Sequence, residues 1–249
     1  MNYKLEVIGF NIEACLLAQS AGAHRIELCD SPGEGGTTPS YGFIKKAREK
    51  LQIELYPIIR PRGGDFLYTD EEFDIMKADV QICKELGCNG VVIGMLNADG
   101  SVDKERCLQL VENAFPMHTS FHRAFDRTND ACKALEDIIE IGCKRILTSG
   151  LRPTAMEGID TITELVKQAN GRITIMPGSG VRAENVVEIA ERTKAVEFHS
   201  SARINMASNM TYVNEQMKED QVSVSVDVTE IRKIITSLNN SFTAGKRLS

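Results

Sequence analysis

Side chains that can move protons or grip anions recur in this chain where short apolar segments stop. RIELC (25–29) contains Glu27 and ends in Cys29, and the apolar pair Ile58-Ile59 runs into Arg60, Arg62 and Asp65. SFHRAFD (120–126) brings His122, Arg123 and Asp126, and VEFHS (196–200) closes on His199 and Ser200. Histidine titrates near neutral pH and a carboxylate can be tuned to meet it, so Glu27, Asp65, His122, Asp126 and His199 are candidates for acid–base work. Asp126 is placed to orient His122 or to pair with Arg123. Arg60 and Arg62 are candidates for holding an anion, because a guanidinium fork matches a carboxylate or phosphate.

A second signal is glycine and hydroxyl chemistry. Gly178-Ser179-Gly180 follows one apolar segment and precedes a helical pattern starting at about 183. Backbone N–H groups of such a loop, with the helix N-terminus behind them, make an anion site. Ser149 in RILTSG and Ser200 in EFHSSA add hydroxyls, so phosphate or carboxylate binding is expected at Ser149, Gly178, Ser179, Gly180 and Ser200. No lysine ends any of these segments, which argues against a Schiff-base aldolase. No H-x-H or E-x-x-H pairing marks a hard-metal or zinc centre among these groups. The seven cysteines are scattered without a C-x-x-C pair, so they read as small buried hydrophobes in a reducing compartment. Cys29 alone is a soft donor within the candidate set, suited to Cu(I) if other ligands join it.

These residues need a scaffold that gathers segment ends. Apolar segments recur at 4–8, 25–29, 53–59, 90–95, 118–122, 145–149, 172–177 and 196–200, each too short for a helix and bounded by turn residues. Helical patterns lie between them at 12–20, 40–50, 70–86, 103–114, 129–141, 155–169 and 183–192. Gly22, Gly87 and Gly142 each stand just before a new strand, where glycine at C′ closes a helix. Thr69, Ser101 and Asn129 mark helix starts. Alternation of strand and helix predicts parallel strands with crossover helices. Eight strands without a G-x-G-x-x-G loop favour a TIM (β/α)8 barrel over a doubly wound sheet.

The barrel is expected over residues 1–202. Residues 203–249 then form a C-terminal extension completing the same domain, weakly alternating at Val222, Val224 and Val226, with a last helix over 228–239 and frayed residues at 240–249. In such a barrel the strand C-termini form the active rim, and the candidate residues above all fall there. At the opposite ends Lys4, Arg25, Lys144 and Arg172 read as surface charges.

A length of 249 residues suits one such barrel, and a net charge of −6 argues against nucleic acid as a partner. No apolar run approaches a membrane span, and MNYKLEVIGF enters a strand-like segment directly, so a cytoplasmic protein with no membrane partner is expected.

RIELC with EGGTTPS (34–40), IIRPRGGDF (58–66), SFHRAFD (120–126), RILTSG (145–150), MPGSGV (176–181) and EFHSSA (197–202) resemble, in order across about residues 3–203, the CutC family of copper homeostasis proteins. Asp227–Arg232 looks like that family's C-terminal helix start. The resemblance implies a cytoplasmic TIM barrel, a homo-oligomer (dimer or tetramer), linked to copper tolerance or trafficking and suggested to bind Cu(I), with Cys29 as the ligand here. Many family members carry a further cysteine at the end of strand one, where this chain has Ile8. The residues themselves support another reading beside that one. It is a barrel enzyme of lyase, isomerase or hydrolase type, acting by acid–base chemistry on a small phosphorylated or carboxylated metabolite.

Overall fold

The computed structural model describes residues 3–218 and 220–245. Strands and helices alternate as β1 (Lys4–Gly9), α1 (Ile12–Ser20), β2 (Arg25–Leu28), α2 (Tyr41–Lys50), β3 (Glu54–Pro57), α3 (Asp70–Glu85), β4 (Gly90–Ile93) and α4 (Lys104–Ala114). They continue as β5 (His118–Phe121), α5 (Ala131–Glu140), β6 (Arg145–Thr148), α6 (Ile159–Ala169), β7 (Thr174–Pro177), α7 (Val186–Thr193) and β8 (Glu197–Ser200). Parallel ladders run in the orders β3-β2-β1-β8 and β4-β5-β6-β7. A parallel bridge between Ile58 and Val92 joins β3 to β4, and β7 lies beside β8 at the other seam. The ring is a (β/α)8 barrel, as the alternation predicts.

Local chemistry sets the element ends. Gly22, Gly87 and Gly142 take φ of 101°, 74° and 91°, the left-handed turn that releases each helix into the next strand. Thr69 and Glu72 form a reciprocal capping box at the start of α3. The caps of α4 and α5 are Asp103 and Asp130, not Ser101 and Asn129, because a carboxylate one or two residues nearer the helix reaches its free amides.

Alternation along the strands divides their side chains between two environments. In β2, Ile26 and Leu28 join the main apolar core, while Cys29, with Ile8, Tyr56, Ile58 and Val92, belongs to a separate inner cluster. Six of the seven free cysteines are buried, and Cys132 is exposed.

Beyond β8 the chain is more ordered than its composition suggests. β9 (Arg203–Ala207) and β10 (Val222–Val226) pair antiparallel, so the weak valine alternation is that of a hairpin strand. α8 (Val228–Gly245) runs on past residue 239, its Ile231, Ile234 and Leu238 buried in the core. The frayed tail is thus corrected through 245, and residues 246–249 lie outside the described residues. No helix among the described residues is long and apolar enough to cross a membrane.

Arg25 is the clearest departure from expectation. Lys144 and Arg172 are exposed, but Arg25 is 1% exposed inside the barrel, as is the neighbouring Arg145 at 6%. An arginine at a strand start can point inward when carboxylates wait there, and here they do.

Candidate functional site

The site rests on a charged floor. Arg25 donates from Nε to Glu6, from one terminal nitrogen to Glu54 at 3.2 Å, and from the other to Glu197 at 2.6 Å and the Met176 sulfur at 3.4 Å. Arg145 donates to Glu197 at 3.0 Å and to Ser120 at 3.2 Å. Both guanidinium groups lie against the Tyr56 ring, at 5.1 and 5.2 Å from its centroid. Fixed cations beneath the cavity are what allow a buried carboxylate to stay ionised.

Glu6 is that carboxylate. Burial opposes its charge, but Arg25 and the bond to His199 outweigh burial and hold it well below the usual carboxylate range. One Glu6 oxygen lies 2.8 Å from His199 Nδ1, and His199 Nε2 lies 3.8 Å from Glu27. Burial works against an imidazolium at His199, yet the bond to Glu6 and the charges of Glu27 and Glu6 raise its pKa. Glu27 is pushed up to about 7, chiefly by burial, with His199 opposing and Glu6 adding to the rise. The facing charges favour a proton on His199 and oppose one on Glu27, so the two groups are candidates for acid–base work.

The ligand-type atoms of Glu6, Glu27 and His199 gather within 4.8 Å, a grouping that suits a metal ion in principle. Both Glu6 oxygens are already engaged, one by Arg25 and one by His199. That leaves two donors facing the cavity, a relay geometry more than a cage.

A cavity of about 370 Å³ opens above the relay, its walls including Ile8, Phe10, Glu27, Ile58, Arg60, Phe66, His122, Arg123, Leu147, His199 and Arg203. His122 sits opposite in character to His199. Burial and the Arg60 charge press its pKa down to about 3, so the ring is neutral. Its Nδ1 accepts the Ala124 N–H at 3.1 Å, which puts the ring proton on Nε2. Nε2 is buried with no partner among the described residues, and so is Nε of Arg60. The Arg60 head is otherwise fixed by the carbonyls of Glu34, Gly36 and Gly64 at 2.6, 2.7 and 2.9 Å. Gly94 makes room for this arrangement, since a Cβ there would meet the His122 ring at 2.4 Å.

Of the expected residues, the fold brings Glu27, Arg60, His122, His199, Ser179 and Gly180 to the cavity. Arg62 is drawn away to Glu72 at 2.6 Å and Asp65 at 3.0 Å, over the Tyr68 ring. Asp65 faces a neighbouring hollow instead. Asp126 does not orient His122. It accepts from Arg123 at 2.7 Å, Thr148 at 2.5 Å, the Ser149 amide at 3.0 Å and the Leu151 amide at 3.2 Å, clamping the loop after β6. A carboxylate so fully bonded has no lone pair left for proton transfer.

The anion loop also differs from expectation. Ser149 is spent on Asp126 and the Arg152 carbonyl, and Ser200 donates to the Val181 carbonyl at 2.8 Å. The Gly178 amide donates to the Thr148 carbonyl at 2.9 Å, and its missing Cβ leaves space for Leu147 and His199. Before α7, the Ala183 amide is capped at 2.9 Å by the Glu230 carboxylate from α8. The protein supplies its own anion to the turn that leads into that helix. Ser179 and Gly180, with φ of 71° and 74°, still present left-handed backbone at the cavity wall.

Cys29 lines neither the cavity nor the neighbouring hollow. Burial, with the charges of Glu27 and Glu6, raises its thiol well above the usual range, which disfavours a thiolate. The wall position held by Ile8 carries no donor, and the Met176 sulfur faces Arg25.

Arg25, Arg145, Glu197 and Arg203 were not among the expected site residues. For Arg25 the signal was present: KLEVIG and RIELC carry charges at every second position of otherwise apolar strands. Period two puts such charges inside a barrel, where only partners make them tolerable.

Residues 3–204 match the model of the CutC family. The chain belongs to the CutC family. A CutC family protein of Chromobacterium violaceum is 51% identical over 212 residues, covering 85% of this chain and 86% of its own. A mouse relative, named copper homeostasis protein cutC homolog, is 43% identical over 239 residues, covering 93% of this chain and 88% of its own. A solved structure of CutC from Streptococcus agalactiae superposes with a TM-score of 0.77 at 36% identity, over 80% of this chain and 98% of that one. Within the CutC family the barrel is thus common ground, and the cavity just described lies almost wholly within the matched residues.

Proposed function

We propose that the mouth of this barrel is an acid–base site for a small anionic metabolite. The reading is supported by one observation: Glu27 and His199, 3.8 Å apart, line a cavity whose other charged residues are Arg60, Arg123 and Arg203. Ionised Glu6 holds His199 in place, and the cationic rim draws a negative ligand onto the pair. Malonate and phosphate are suitable probes. Calorimetry in buffers of different ionisation heat should show anion binding with proton uptake, and Glu27→Gln should remove the uptake. Absence of binding by both anions would sink the reading.

A part in copper tolerance or trafficking comes from the name of the mouse relative, and direct Cu(I) binding at Cys29 is its sharpest form. The donors present suit that form poorly: one protonated, buried thiol, with isoleucine at the position where a second thiol is expected. An anaerobic Cu(I) titration decides it. We expect no stoichiometric site, and a site that disappears in Cys29→Ala would establish the copper reading instead.

The reading includes a cytoplasmic location, supported by seven cysteines without a disulfide. It includes a homo-oligomer, supported by exposed Met206, Met210, Tyr212 and Val213 on and beyond the β9 strand.

A further inference from the structure

One buried N–H donor among the residues lining this cavity, Nε2 of His122, has no acceptor among the described residues. A buried donor without a partner is costly. A ligand that relieves it brings an oxygen. Across the same cavity stands Glu27, 3% exposed and without a hydrogen bond within 3.5 Å among the described residues. Ile8, Ile58, Phe66 and Leu147 add apolar wall. A donor to an oxygen, together with a carboxylate base, is an arrangement that removes a proton next to a carbonyl.

We infer that the cavity enolises a small 2-oxo acid, with His122 holding the carbonyl oxygen and Glu27 taking the neighbouring proton. The inference rests on the acid–base reading above and names its substrate class. In the step, the C–H bond breaks and its electron pair becomes the C=C bond of the enolate. The carbonyl π pair moves to oxygen, where the His122 N–H stabilises it. Glu27 gains the proton and returns it to the same carbon as the enolate collapses. No oxidant or further reactant is needed. A neutral imidazole suits the donor role, since it polarises the oxygen without handing over its proton. Burial and Arg60 keep His122 neutral. His199, 3.8 Å from Glu27, is placed to accept or resupply the proton between turnovers. Arg123 and Arg203 at the cavity wall meet the acid group.

Oxalate tests this, as a planar dianion with the shape of a small enolate, against malonate, which has equal charge but is not planar. We expect oxalate to bind about tenfold more tightly than malonate, the difference made by the charge-assisted bond to His122 Nε2. The His122 Nε2–H proton resonance of the unaltered protein should move downfield with oxalate and stay in place with malonate. His122→Phe should bring oxalate down to the affinity of malonate. Equal binding of the two anions, or an unmoved His122 resonance, overturns the carbonyl assignment while leaving the acid–base reading standing. If malonate and phosphate also fail to bind, both fall together.

Discussion

Glu27 keeps its working proton at a cost to the fold. Its carboxyl is pushed up to about 7 from an ordinary 4.5, chiefly by burial. Between those two values the folded protein holds a proton that the unfolded chain has released, so this residue's contribution to stability declines as pH rises through that window. Glu27→Gln removes the charge that causes the decline. The variant should be more stable than the parent at pH 8, by about 1–3 kcal/mol, and no more stable at pH 4. Urea unfolding at the two pH values checks this, and equal midpoint differences at both would contradict it. His122 shows how far sequence could reach at this scale. Its place at a strand end was legible, but its neutrality depends on Arg60, a residue far away in the chain and near only in the fold. Asp126 shows the reverse: an acid of the right type in the right segment, used up by the loop it holds.

At the scale of elements, the strands and helices were legible because period-two and helical patterns repeat around the ring, with glycine stops and acid caps between them. What could not be read was which helix end stays open. A loop such as Gly178-Ser179-Gly180 before a helix reads as an anion cradle, and only the packing of α8 against α7 shows Glu230 already there. Glu230→Ala should lower stability by about 1 kcal/mol through the lost charge-assisted bond to the Ala183 amide. It should also create a site: phosphate should raise the thermal midpoint of Glu230→Ala more than that of the parent. Equal phosphate effects on the two proteins would show that the helix end was never closed. The hairpin of β9 and β10 was missed for a simpler reason, since its strand β9 is exposed along its length and carries no apolar rhythm to read.

For the whole molecule, the floor beneath the cavity does what the ladders leave undone. Arg25 on β2 holds Glu6 on β1, Glu54 on β3, Met176 on β7 and Glu197 on β8, and Arg145 on β6 holds the same Glu197. The β7–β8 seam is thereby crossed by guanidinium groups. Arg25→Met would leave Glu6 buried without its cation and Glu197 with Arg145 alone, a loss of about 3–5 kcal/mol at pH 7. Both carboxyls are held below their ordinary values: burial resists, but Arg25 acts on Glu6, and Arg145 followed by Arg25 acts on Glu197. Their stabilising contribution is present above an unfolded value of about 4.5 and fades as pH falls through the lower folded ones. The deficit of Arg25→Met should therefore shrink in acid, and unfolding midpoints at pH 7 and pH 4 give the comparison. A deficit independent of pH would assign Arg25 to packing alone. The same feature sets an order in time. Arg25 and Glu197 are 172 residues apart in sequence, and Glu6 and His199 are 193 apart. Contacts of such separation form only after the loop between them has closed. The relay under the cavity is therefore among the last parts of the molecule to assemble, and until β8 arrives Arg25 and Glu6 lack the partners that complete their burial.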